Sequence, residues 1–561
     1  MPFGGEGGVS MTKVRGPLLA GLALAVVAVI AAGCGNDGDS GTGAGASPPG
    51  ASDLTPPSAS APAGSVFRRL WTDPPTLDPH QVSDVASAGI LLEIFSGLVT
   101  LSTDLTVEPD LAEGWEVSDD GLTYTFTLRR NAAFQDGKRV TASDIKYSLE
   151  RALHPDTLSS TVDTYLDDIV GIRDVIAGRT KDLSGVTVVD ERTVAITIEE
   201  PRAYFLAKLT YPTAFVVDRE NIERDGKDWV RKPNATGPFI LEEYRVGELL
   251  VLRRNPNYYR EPAKLERVEY ILRGGAAMPM YENGEIEITG VGIADLDRVT
   301  NPDEPLNRDL VVAPPSFDLA YIGLNVDLPP FDDVKVRQAL THAINKPLIA
   351  DRILANMAVP ARGILPPGFP GYNDALQGLA YDPDLAQELL AASRYAGDMP
   401  RIVITVPGTG GAVGLDMEVI IQAWEDTLGI VVEVQQVEWA TFLEDLGHGR
   451  LQAFAGLAWQ ADYPDPQDFL DIKLHSRSPL NHTGYGNSEV DRLLEAARVA
   501  DEWDQRRVLY NQAEQLIVDD APWIPLWYSG ERMILLKPYV RGYKITPLTV
   551  SKMREVWIEG G

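Results

Sequence analysis

Strand-like and helix-like patterns alternate without a break through roughly 500 residues that follow Ser65, a length that outgrows one hydrophobic core and divides into two or more domains. No Pro/Gly/Ser-rich linker separates such domains, because Pro and Gly are spread through the whole body. Lobes joined by several chain crossings fit that distribution; a single tether between them does not. The segment GWEVSDDGLTYTFTLR, Gly114 to Arg129, places Asp120 and Gly121 at a hairpin turn ahead of the alternating Tyr124, Phe126 and Leu128. In PFDDVKVRQALTHAI, Asp332 is the expected N-cap of a helix that carries Val336, Ala339, Leu340, Ala343 and Ile344 on one face. YDPDLAQELLAASRYAG predicts another helix, with Asp382 as cap, Pro383 in the first turn and Gly397 at its end. Helical spacing recurs from Glu489 to Val518, while Arg401 to Val406 and Gly429 to Val437 read as buried strands. Strands and helices interleaved in this way imply an α/β body with mixed sheets.

The chain begins differently. After Lys13 and Arg15, no charged residue occurs from Gly16 to Gly33, and an apolar run from Leu18 to Ala32 ends in small residues ahead of Cys34. These are the parts of a secretory signal. Residues before Met11 carry no recognisable signal and read as an overlong start. Cys34 is the only cysteine, so it has no partner for an intramolecular disulfide. Its position after Ala-Ala-Gly resembles the lipobox of bacterial lipoproteins, which implies that Cys34 is acylated at the mature N-terminus. Ala31 departs from the Leu more usual in that motif. From Gly35 to Gly64 the composition is mostly Gly, Ser, Ala, Pro and Thr, with three Asp and no aromatic residue, a flexible tether by its inability to bury surface. No later apolar run is long enough to span a bilayer.

The body is acidic, with 81 Asp and Glu against 50 Lys and Arg in the chain. That balance disfavours nucleic acid and anionic lipid as main partners, since both require basic patches. Motifs for covalent or cofactor chemistry are missing: there is no GxSxG elbow, no Walker loop and no HExxH. His475 and His482 could in principle meet a metal, but solvated loop histidines are the commoner outcome. GTGG, Gly408 to Gly411, lacks the spacing of a dinucleotide fingerprint and reads as a strand-to-helix loop. No cofactor and no metal is therefore expected, and a hydrolase could rest only on an unrecognised carboxylate pair.

One stretch stands apart, AWQADYPDPQDFL from Ala458 to Leu470. In a water-poor cleft Asp462 could pair with a ligand cation while Trp459 covers apolar ligand surface. A plain turn, with Asp and Pro present for backbone reasons, is the competing reading.

Several ordered segments resemble a known family. They are TLDPH (Thr76 to His80), AEGWEVSDDGLTYTFTLR, FQDGKRVTASDIKYSLER (Phe134 to Arg151), TGPFILEEYRVGELLVLRRNPNYY (Thr236 to Tyr259), NGEIEI (Asn283 to Ile288), VKVRQALTHAINK (Val334 to Lys346), YDPDLAQELL and WQADYPDP. Together they are similar to extracellular solute-binding proteins of ABC transporters, family 5, the oligopeptide and dipeptide class that includes nickel binders. The resemblance implies an α/β, two-lobed clamp of the periplasmic-binding-protein type II kind, with an extra subdomain in lobe I near Ser96 to Gly237. It divides the chain into a signal peptide (1–33), a lipid-anchored tether (34–64), lobe I (65–316), lobe II (317–529) and a C-terminal return to lobe I (530–561).

The resemblance also implies site roles. Asp462 occupies the position that pairs with a peptide's α-ammonium, and Ala458, Trp459 and Gln460 that of the strand pairing with the ligand main chain. Trp439 corresponds to a cleft-walling Trp and Val85 to a contact from lobe I; ordinary core packing is the alternative for both. Two departures stand out. Gly456 replaces an Arg that in some relatives meets the ligand carboxylate, and Val413 stands where a His can serve longer peptides. The expected protein is a monomeric, non-enzymatic receptor, attached to the membrane through its lipid alone, that passes peptides or peptide-like cations to ABC permease subunits. The same fold binding a nickel chelate, sugar oligomer or other solute is the alternative, with a secreted hydrolase or a peptide sensor without transport behind it.

Overall fold

The structure is a computed structural model that describes residues 65–408, 410 and 413–560. The signal segment, Cys34 and the tether lie outside the described residues. Two seven-stranded sheets organise the rest. In the first, Val66–Leu70 runs parallel to Arg267–Ile271 and Ile288–Gly290 near the centre, and the antiparallel ribbon Leu249–Arg254 with Phe239–Arg245 forms one edge. Arg532–Leu536 returns from the far end of the chain to lie between Ile288–Gly290 and Leu310–Ala313. The second sheet has Asp318–Leu324 and Trp523–Ser529 at its middle, with Ile402–Pro407 and Val432–Val437 in parallel at one edge. A separate four-stranded sheet holds Ala112–Val117, Thr123–Leu128, Thr193–Thr197 and Val186–Val188.

The chain passes from the first sheet to the second between Ala313 and Asp318, and back between Ser529 and Arg532. The two crossings are laced together. Ser529 donates its backbone N–H (3.1 Å) and hydroxyl (2.8 Å) to the Asp318 carboxylate, and Arg532 Nε donates to the Pro314 carbonyl at 3.0 Å. Burial pushes the Asp318 carboxyl up from its ordinary range.

Local patterning explains most elements. The hairpin expected at Gly114–Arg129 forms around Gly121, at φ +72°, and buries Tyr124, Phe126 and Leu128 on one face, the period-two result of a half-buried strand. One cap shifts by a residue. The helix Val334–His342 is capped by Asp333, whose carboxylate accepts the Lys335 N–H at 3.0 Å, whereas Asp332 accepts the Tyr395 hydroxyl. Two adjacent acids offer the same signal, and only the tertiary partner of Asp332 separates them. The helix capped by Asp382 runs Pro383–Ala391 and stops short of Gly397, because the Ser393 hydroxyl takes the Leu390 carbonyl and turns lead on to that glycine.

The Glu489–Val518 pattern forms two helices, Ser488–Val499 and Trp503–Asp520. Val432–Val437 is an edge strand rather than a buried one. Among the described residues it has a sheet partner on one side only, and the preceding Val431 is 71% exposed. Gly408 and Gly410 donate their N–H groups to Val437 O and Gln436 Oε1, so these amides serve the neighbouring strand rather than a phosphate.

Candidate functional site

The segment Ala458–Leu470 is built where the second sheet frays. Asp318–Leu324 pairs first with Ala453–Phe454 and then with Ala458–Gln460, in the register Leu319 to Trp459. Between those two short strands Gly456 adopts φ +76°, a conformation that an L side chain enters at a cost. Ala453–Phe454 is flanked on its other side by Ile402–Pro407. Ala458–Gln460 is not: among the described residues its outer edge has no strand partner. A row of backbone donors and acceptors is thus left open.

The acids that follow take two different roles. Asp465 accepts the Gln467 N–H at 3.0 Å, which starts the helix Gln467–Leu474, and both its oxygens meet Arg506 Nη2 (2.9 and 2.8 Å). Asp471 is gripped twice by Arg498, at 2.6 Å each. These are the turn and helix roles that Asp and Pro commonly fill. Asp462 and Asp468 have no arginine. Asp468 is fully buried; its Oδ2 accepts the Asp462 N–H at 3.1 Å, while Oδ1 has no hydrogen-bond partner.

The Asp462 carboxylate is reached from the other side of the molecule. The Tyr165 hydroxyl, 297 positions earlier, donates to its Oδ2. Tyr165 itself stacks on Tyr211 with centroids 3.7 Å apart and meets the edge of Tyr463. Burial raises the Asp462 carboxyl to about 7, against the Tyr165 hydrogen bond and the Lys473 charge, which pull it down. The charge on Asp462, added to burial, pushes the Tyr165 hydroxyl well above its usual range.

Trp459 closes the group. Its indole N–H donates to the Asp468 carbonyl at 3.0 Å, and the Lys473 ammonium lies 4.3 Å from its ring centroid. Ala458, Trp459, Gln460 and Asp462 are therefore contiguous and partly exposed. Among the described residues, no hydrogen bond or ring contact joins Trp439 or Val85 to this group. Trp439, 40% exposed at the start of the helix Trp439–Gly447, stacks on Phe442. Val85, 45% exposed, opens the helix Val85–Ile94; its neighbour Asp84 acts electrostatically on Tyr211 and so ties that helix end to the site. Neither residue is packed as core. Tyr165, Tyr211, Asp468 and Lys473 escaped sequence reasoning. Only the Asp468 and Lys473 spacing from Asp462 within one segment could have pointed to them. His475 faces Glu495, His482 is half-buried within reach of the Lys473 charge, and no group of three metal-ligating side chains occurs among the described residues.

Two sheet-based bodies laced at two crossings, with an open strand edge and an under-satisfied carboxylate between them, define a two-lobed clamp for a ligand. Comparison with known proteins agrees. Residues 106–480 match the family described as bacterial extracellular solute-binding proteins, family 5 Middle. The probable deoxycholate-binding periplasmic protein YgiS of Escherichia coli K12 is 31% identical over 509 residues, 88% of this chain and 94% of that protein. The periplasmic oligopeptide-binding protein OppA of the same strain is 31% identical over 518 residues, covering 88% and 92%. The solved structure of the E. coli murein tripeptide binding protein MppA superposes with a TM-score of 0.79 at 27% identity, over 89% of this chain and 99% of that one. The chain belongs to the family 5 extracellular solute-binding proteins. Among the described residues, no helix is long and apolar enough to cross a membrane.

Proposed function

We propose that this protein is a lipid-anchored receptor that captures peptides, or peptide-like cations, between its lobes and delivers them to an ABC permease. Asp462 receives the ligand's ammonium, and the outer edge of Ala458–Gln460 pairs with its main chain, with Trp459 forming a wall. Lobe I comprises residues 65–316 with the return 530–561, lobe II residues 317–529, and the two crossings bend as the clamp shuts. Cys34 carries the lipid that keeps the monomeric receptor on the outer face of the membrane. The observation that carries this reading is the pairing of an open strand edge with a carboxylate one of whose oxygens is bound only by a tyrosine hydroxyl. Backbone pairing holds peptides of varied sequence, and the carboxylate fixes which end enters first. Similarity to the proteins named as oligopeptide- and murein-tripeptide-binding supports a peptide.

Similarity to the protein named as probable deoxycholate-binding supports a second reading, an apolar carboxylate. Such a ligand has no ammonium for Asp462. Mass spectrometry of small molecules released from the purified protein separates the two: free-amine peptides are expected, and recovery of a bile-acid-like, sugar or metal-chelate ligand with no peptide would reject the peptide reading. Cys34→Ser should move the protein from the membrane fraction to the medium; retention at the membrane would reject the lipid anchor.

A further inference from the structure

Lys473 is 3% exposed, yet among the described residues its ammonium has no hydrogen-bond acceptor and no carboxylate oxygen within ion-pair distance. Its one direct contact is the ring of Trp459, at 4.3 Å. An ammonium largely withdrawn from water without a hydrogen-bonded anion is costly, and natural interiors rarely hold one unless something is to meet it. Burial pulls it down to about 7, with the charges of Asp468 and Asp462 opposing that fall.

The unpaired groups around it point to what that something is. Asp468 has an orphan oxygen at full burial, and burial together with the Asp462 charge pushes its carboxyl well above the usual range. His482, also facing Lys473, is kept neutral by burial, with Nδ1 unpartnered. Tyr165, Tyr211 and Tyr463 are neutral hydroxyls raised by burial. Asp462 and Lys473 are close enough to feel each other's charge, yet no direct ion pair joins them among the described residues. A ligand bringing only an ammonium would neutralise Asp462 and leave Lys473 uncompensated. A ligand bringing an ammonium and a carboxylate within one residue satisfies both.

We propose that Lys473 is a specificity-determining residue that receives a carboxylate on the side chain of the ligand's first residue, so that the preferred ligands are peptides with an acidic N-terminal residue. This rests on the peptide reading above, with Asp462 as ammonium anchor. The Trp459 ring then forms the shared wall of both charge sites, covered on one face by the lysine.

Titration calorimetry of the full chain with three tripeptide amides tests it: Glu-Ala-Ala-NH2, its uncharged isostere Gln-Ala-Ala-NH2, and Lys-Ala-Ala-NH2. Capping the C-terminus leaves the first side chain as the only carboxylate. The Glu peptide should bind about tenfold or more tighter than the Gln peptide, the effect of one charge-assisted hydrogen bond, and the Lys peptide most weakly. In Lys473→Met the ratio of Glu- to Gln-peptide affinity should collapse to within about twofold, a margin small on the tenfold scale of one such bond, whatever the loss of the lysine charge beside Asp462 does to both peptides alike, and a thermal melt shows that the variant is folded. Equal binding of Glu and Gln peptides by the natural protein, or a Glu preference that survives Lys473→Met, overturns the assignment and leaves the peptide reading intact. Failure of all three peptides to bind would overturn both.

Discussion

Two buried charge clusters in this molecule contrast in how completely they are satisfied. Asp78, His80 and Arg151 join the TLDPH segment to the helix Ala142–Leu153. Arg151 donates to both Asp78 oxygens, at 2.9 and 2.5 Å, and its Nη1 lies 2.8 Å from His80 Nδ1, while His80 Nε2 meets the Phe215 carbonyl at 2.9 Å. Burial lowers the His80 imidazole to about 4, so it is neutral, with Nδ1 accepting and Nε2 donating. Arg151 holds the Asp78 carboxyl below its ordinary value despite burial. Every charge has a partner. Around Asp462 the opposite holds: an acid raised to about 7, an orphan Asp468 oxygen and a lysine without an anion. Both clusters come from recognisable motifs, so the motifs alone do not separate them. The completed cluster is a joint, and the incomplete one is the place where, on the reading proposed above, a ligand supplies what is lacking.

The contrast is broken most severely by removing one partner from the completed cluster. Asp78→Ala should cost about 3–5 kcal/mol of stability by leaving Arg151 uncompensated. Because the Asp78 carboxyl is depressed in the folded protein, its stabilisation is present above about pH 4 and is lost as pH falls further. Denaturant melts of the variant at neutral pH check this; a loss of less than about 1 kcal/mol, the range of a surface pair, would remove the distinction between the clusters.

Asp462→Ala should act on the other quantity. Peptide affinity should fall by about 3–5 kcal/mol, roughly two to three and a half decades. Melting temperature should hold or rise. A loss of affinity smaller than about tenfold would remove Asp462 from the ammonium site.

A pH series sharpens the same point. Asp462 has a folded value of about 7 against 3.8 when unperturbed, so its ionisation opposes folding increasingly as pH rises through that interval. Capture of an ammonium requires the ionised form. Affinity for a free-amine peptide should therefore weaken by up to about tenfold per unit as pH falls below about 7. The N-acetylated peptide should show no such slope, and equal slopes for the two would detach the effect from the ammonium.

The smallest effect is expected at Tyr165→Phe, which removes one hydrogen bond and no charge. It should lower ligand-free stability by about 0.5–1.5 kcal/mol. No change would mean that the free protein in solution does not hold the Tyr165 contact with Asp462.

The sequence spoke most clearly where one face of an element is buried and the other is wet. The hairpin Thr123–Leu128 and the helix Pro383–Ala391 were legible because alternation and caps are local signals. Val432–Val437 was misjudged because apolar content does not reveal that a strand lies at an edge. Asp462 was legible through its motif, but its partner Tyr165 comes from another part of the fold. Lys473 was hidden for a related reason: on a short helix whose residues are all buried, a lysine reads as a polar interruption until the absence of its counter-ion is seen.

The lacing of the two crossings has a mechanical consequence. If the clamp shuts as proposed, segments bound side by side through Ser529 and Asp318 would bend about one line rather than shear or twist. Closing such a joint removes a single soft coordinate, so little of a ligand's binding free energy is consumed in ordering the protein. Severing that tie with Asp318→Ala should loosen the grip while leaving the Asp462 carboxylate itself unaltered.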